Sequence, residues 1–160
     1  MKFLLRSVIV LILLNCYPAI MMAKEIKYNH NSKTIAEIQK EVDFTVLTPT
    51  RIPDDWTLEI KTSICISLHY MDSTDTKLMV SIDLRKGTRV IYDDSPRSQQ
   101  VDINGNIGYF QEWGDSGNVD QNGEIISGGI LRWAQDGTSV QMMSSRLSKE
   151  EMLEIARSMK

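Results

Sequence analysis

Cys65 and His69 are the residues of this sequence best suited to nucleophilic chemistry, a thiol and an imidazole base on one stretch of chain. Their spacing works against it. In a strand rising ~3.3 Å per residue their backbones lie about 13 Å apart, so a partner would have to come from another strand. The plainer reading is a half-buried cysteine and a surface histidine. His30, the other histidine, falls in a polar stretch where solvation explains it. The acidic pairs Asp54-Asp55 and Asp93-Asp94 are no better placed, because neighbours on an extended chain point apart. Solvated turns account for them. Hydrolase chemistry would need the fold to bring distant loops together. No catalytic residue is assigned on this basis, and no cofactor is implied.

The segment Asn118-Val119-Asp120-Gln121-Asn122-Gly123-Glu124-Ile125 has the spacing of a calcium loop. Oxygen-bearing side chains stand at positions 1, 3 and 5 (Asn118, Asp120, Asn122), with glycine at 6 to make the sharp turn. Position 1 is Asn instead of Asp, and position 12 is Gly129 instead of a bidentate glutamate. A hydrophilic hairpin loop explains the same residues. Any calcium binding would be weak, of the millimolar extracellular kind.

The aromatic residues Trp56, Trp113, Trp133, Tyr70, Tyr92, Tyr109 and Phe110 have the bulk to line an apolar groove for an acyl chain or peptide. Met152 and Met159, on a C-terminal helix lying over that face, would adapt to such a ligand. Ordinary core is the alternative use of the same side chains. Trp56, Trp133, Met152 and Met159 are the groove candidates.

These residues need elements to position them. Leu58, Ile60, Thr62, Ile64, Ile66, Leu68 and Tyr70 recur at every second position, which predicts one long half-buried strand. Asp72-Ser73-Thr74-Asp75 is a polar turn, and Leu78, Val80, Ile82 and Leu84 alternate on the way back, making a hairpin. A short strand is expected at Phe44 to Leu47 and another over Arg89 to Tyr92. Asn104-Gly105 and Asp136-Gly137 are hairpin turns, each between alternating runs. Thr34 with Glu37, and Ser148 with Glu151, have capping-box spacing and start two short helices. The prolines Pro49 and Pro53 force an extended, irregular path that Ile52 and Trp56 anchor. The expected class is α+β: a curved antiparallel sheet of six or seven strands, a short N-terminal helix, and a C-terminal helix packed on one face.

The first 23 residues are of another kind. Lys2 and Arg6 precede the uncharged run Ser7 to Leu14, Pro18 breaks the helix, and small or apolar residues lead to Ala23. That is the layout of a secretory signal peptide. The stretch from Ser7 to Ala23 is slightly short of the ~20 apolar residues of a comfortable membrane span, so an uncleaved anchor is the alternative. Leu13-Leu14-Asn15-Cys16 raises a third, lipidation of Cys16. Residues 24–33 are polar and aperiodic and read as a flexible tether; residues 34–160 then form a single domain.

If the leader is removed, Cys16 goes with it and Cys65 has no partner for an internal disulfide. The formal charge of −3 becomes −5 on loss of Lys2 and Arg6. A mildly acidic domain has no electrostatic attraction to nucleic acid or to an anionic lipid surface.

Several segments resemble an uncharacterised bacterial family, domain of unknown function 4367. They are Phe44 to Pro53 (FTVLTPTRIP), Trp56-Thr57-Leu58, Val101 to Gly105 (VDING), Leu131-Arg132-Trp133 before Asp136-Gly137, and Leu147 to Ser158. The resemblance covers roughly Phe44 to Lys160. Its motifs are turns, a hairpin and a capped helix, so it implies a fold and carries no catalytic residue. It further implies an extracytoplasmic module of spore-forming Gram-positive bacteria, with a curved antiparallel sheet distantly similar to lipoprotein-carrier and sigma-regulator domains.

The resulting expectation is a cell-envelope module, secreted or attached to the outer face of the cytoplasmic membrane. It would bind or sense a lipid, peptide or envelope protein without catalysis. A hydrolase assembled from loops and a purely structural interaction domain are the alternatives.

Overall fold

Apolar residues at every second position give a strand one face that must leave water. In the computed structural model, which describes residues 26–29, 31–90, 95–114, 117–120 and 123–160, those faces merge into one sheet. The strands are β1 (Lys27–Tyr28), β2 (Thr57–Thr62), β3 (Ile66–Met71), β4 (Leu78–Lys86), β5 (Ser98–Ile103), β6 (Asn106–Glu112), β9 (Gly129–Gln135) and β10 (Thr138–Ser144). Their spatial order is β1-β2-β3-β4-β10-β9-β6-β5, antiparallel throughout except for the β1–β2 pair. Two short strands, β7 (Asn118–Val119) and β8 (Ile125–Ile126), form a separate ribbon in the connection from β6 to β9. Helix α1 spans Ile35–Glu41 and α2 spans Lys149–Arg157. The class is α+β, with eight strands in the curved sheet instead of six or seven.

Both helices start where the capping residues put them. Thr34 and Ser148 each accept the N–H of the third helical residue, and Glu37 and Glu151 reach back to the cap N–H. These reciprocal bonds satisfy donors that a helix start otherwise leaves open. The Asn104-Gly105 and Asp136-Gly137 turns have positive φ at both residues, at 53° and 84° and at 49° and 78°. That is the type I′ geometry that matches strand twist.

One face of the sheet supplies the core. Leu58, Leu68, Tyr70, Ile82, Leu84, Leu131, Trp133 and Met142 are buried there with Ile38 of α1 and Met152, Ile155 and Ala156 of α2. Burial of this many apolar side chains, at ~1.5–3 kcal/mol each before entropy, is the main force joining helices to sheet. Gly129 lies so close under Phe110 that a Cβ there would sit 2.6 Å from the ring and from the Gln111 carbonyl. An aromatic thus covers the strand where β9 has no side chain.

The structure corrects several expectations. The long strand from Trp56 to Tyr70 is two strands, because Thr62 pairs with Ile66 around a three-residue turn. An odd-numbered turn keeps even-numbered residues on one face, so the alternation ran through the reversal and concealed it. Ile64, expected to face inward, is 93% exposed at the turn. Leu78 is also exposed, where the β3–β4 register shifts next to Met71. Residues 44–47 form no strand. The Gln39 side chain occupies the place of a strand neighbour, donating to the Phe44 carbonyl and accepting from the Val46 N–H, both at 2.9 Å. Arg89 and Val90 are not in a strand, and the rest of that expected strand, Ile91 and Tyr92, lies outside the described residues. So do His30, Asp93-Asp94, Asn122 and the whole leader with Cys16.

The segment read as a tether is docked where it is described. Lys27 and Tyr28 pair with Thr57 and Leu58, and the Asn29 N–H reaches the Leu58 carbonyl at 2.9 Å. Ser32 Oγ accepts the Ile60 N–H at 2.7 Å, and Tyr28 OH accepts the Ile35 N–H. These contacts cover an edge that β2 would otherwise leave unpaired.

Candidate functional site

The sequence-predicted chemistry does not assemble. Cys65 sits in the β2–β3 turn with its thiol 3.5 Å from Ser67 Oγ. His69 lies further along β3, opposite Glu59 and Ser81. No hydrogen bond joins the imidazole to Cys65 or to a carboxylate among the described residues. Burial, reinforced by the Lys61 ammonium, holds the His69 pKa below its ordinary value, against the opposing pull of Glu59 and Asp83. The ring is therefore a neutral, half-buried group at pH 7.

The sheet face away from the helices is polar. Lys61, Ser67, Asp83, Gln141 and Arg132 stand opposite one another across five adjacent strands. They bond mostly to each other: Ser67 donates to Asp83 at 2.6 Å, and Arg132 donates to Gln141 at 2.9 Å and Gln111 at 3.1 Å. Cross-strand partners that satisfy one another stabilise the sheet and leave little unmet capacity for a ligand.

The calcium-loop residues are engaged by protein. Asn118 Oδ1 accepts the Arg146 guanidinium at 3.3 Å, and its Nδ2 donates to the Ser145 carbonyl at 3.1 Å. Asp120 Oδ1 accepts the Glu124 N–H at 2.9 Å, closing the ribbon turn. A wide cleft of about 900 Å³ lies between this ribbon and the start of α2. Its walls bring Glu112, Asp120, Glu124 and Glu150 together with Arg146 and Lys149, so it is polar and open to water.

Of the groove candidates, Trp133, Met152 and Met159 are core residues with 1% exposure or less, and Trp56 packs at the core's margin. The apolar cleft lies elsewhere, at the end of the sheet where β2 turns into β3. It measures about 410 Å³, within the ~300–1,000 Å³ usual for small-molecule sites. α1 and the chain just after it supply Ile38, Val42 and Phe44, while Ile64, Ile66 and Leu84 come from the turn and sheet. Arg85 and Lys86 stand at its rim. Lys86 pairs with Asp43 at 2.5 Å, whereas Arg85 has no ion-pair partner among the described residues. Sequence reasoning missed this cleft because the parity of the turn placed Ile64 in the core.

Comparison with known proteins gives a family and nothing finer. No curated protein and no solved structure matches the chain. The family model described as Domain of unknown function (DUF4367) matches residues 46–159, and the chain belongs to that family.

Proposed function

We propose that this chain is an extracytoplasmic module of the cell envelope that binds the acyl chain of a lipid without catalysis. The carrying observation is the apolar cleft under Ile64. An isoleucine left 93% exposed beside Val42 and Phe44 carries apolar surface that gains by being covered. Arg85, at the rim with no ion-pair partner among the described residues, suits the anionic head of a fatty acid or phospholipid whose tail lies among Ile38, Ile66 and Leu84. The basic start and apolar run of residues 1–23 support export.

The test is displacement of a fluorescent fatty acid from the purified protein, comparing wild type with Ile64→Asp. Ile64 is too exposed for its replacement to unfold the domain. Saturable binding to wild type, weakened tenfold or more by Ile64→Asp and less by Arg85→Gln, supports the reading. No saturable binding, or equal binding by all three proteins, sinks it.

A further inference from the structure

We infer that the end of the sheet at which β1 begins is a bilayer-facing surface, with the β7–β8 ribbon contacting lipid there. This rests on the extracytoplasmic reading with residues 7–23 retained in the membrane, and is independent of the acyl cleft.

Reach sets the orientation. β1 begins at Lys27, only four residues beyond Ala23, the last residue of the apolar run. Four fully extended residues span at most about 14 Å. A nine-residue strand such as β4 is about 30 Å long. Whatever path residues 24 and 25 take, the end of the domain carrying Lys27 must stay close to the bilayer.

Strand register shows what shares that end. Lys27 pairs with Thr57, Thr57 with Met71, and Met71 with Leu78. The row continues through Met79, whose carbonyl accepts Ser144 Oγ at 2.6 Å, to Gly129 and Glu112. Trp113 and the ribbon follow directly, and Asn118 ties the ribbon to Ser145 and Arg146. The exposed apolar residues Leu78, Trp113, Val119 and Ile125 therefore lie at the end nearest the anchor. Val119 and Ile125 are cross-strand partners, so their side chains share one face of the ribbon, and each is about 60% exposed. Such a pair beside a partly exposed tryptophan suits the boundary between headgroups and acyl chains.

Charge selects the lipid. Asp72, Asp75, Asp120 and Glu124 outnumber Lys27, Lys77 and Arg146 on this end, so the contact is apolar and anionic headgroups weaken it. Ile64 and Ile107 are exposed at the opposite end and serve as internal controls.

The experiment reconstitutes the full chain into zwitterionic phosphatidylcholine vesicles, with a nitroxide at one position per sample. Labels sit at native Cys16 with Cys65 replaced by serine, or at Ile125→Cys, Val119→Cys or Ile107→Cys with both Cys16 and Cys65 replaced by serine. Accessibility to oxygen and to a water-soluble nickel chelate is read for each. The expected result is lipid-like accessibility at Cys16, at least threefold protection from nickel at positions 125 and 119 relative to 107, and loss of that protection as anionic lipid is added. A lipid-like Cys16 with positions 125 and 119 as exposed as 107 overturns the orientation alone. An aqueous Cys16 removes the anchor reading on which it stands.

Discussion

Ser158 Oγ accepts the backbone N–H of Arg51 at 3.0 Å, and the same oxygen accepts that of Thr50 at 3.1 Å. It also donates to the Ile155 carbonyl at 2.8 Å. One buried hydroxyl thus joins the end of α2 to the proline-bounded segment more than a hundred residues earlier. Thr50 keeps a second acceptor, the Ser158 carbonyl at 3.2 Å. Ser158→Ala would leave the Arg51 N–H without that acceptor, at a cost of about 0.5–1.5 kcal/mol. Urea denaturation should show a lower midpoint with an unchanged slope. An unchanged midpoint would mean that the Thr48–Lys160 and Pro49–Met159 backbone pairing already holds this join by itself.

That join also shows where sequence reading ended. The local devices were legible: both capping boxes and both Xaa-Gly hairpins act within four residues, where residue type decides geometry. The apolar face of the sheet was legible because period two survives folding. What was lost depended on partners distant in sequence. Nothing near Phe44 says that Gln39 will occupy the place of a strand neighbour, and nothing near Lys27 says that β2 will need its edge covered. The apolar cleft was lost for a local reason. Thr62-Ser63-Ile64-Cys65 contains no Gly, Pro, Asn or Asp, and its odd-length turn preserves the alternation on both sides.

His69 gives the domain a pH dependence separable from that of its carboxylates. Burial and the Lys61 ammonium lower its folded pKa, with Glu59 on β2 and Asp83 on β4 opposing them. Above the unfolded value, near 6.5, both states hold a neutral ring and His69 contributes no slope. As pH falls below about 6.5 the unfolded chain takes up a proton that the folded chain resists, so stability falls with pH. Glu37, Asp43 and Asp72, lowered chiefly by hydrogen bonds to their charged forms, lose their contribution only further down, in the carboxylate range. Urea midpoints at pH 7.5 and 5.5 should therefore differ more in wild type than in His69→Gln. An imidazole titrating at or above 6.5 by NMR would refute the assignment.

The Asn118–Arg146 contact bears on calcium. A dication in the ribbon loop would have to draw on Asn118 Oδ1 while a guanidinium sits 3.3 Å from that oxygen, and like charges at such range repel strongly when partly desolvated. Asp120 Oδ1 already closes the turn through the Glu124 N–H. Millimolar calcium should leave the Tm of the purified protein unchanged, and a chelator should do the same. Arg146→Ala should act on the ribbon more than on the sheet, because the sheet's core does not depend on this side chain. Amide exchange over residues 117–120 and 123–128 should accelerate while the central strands β4 and β10 keep their protection. A calcium-dependent rise in Tm that Asp120→Ala abolishes would show that the ion binds in the ribbon loop despite Arg146, since only a ligand preferring the folded state raises it. Uniform loss of protection would show that the ribbon is integral to the sheet.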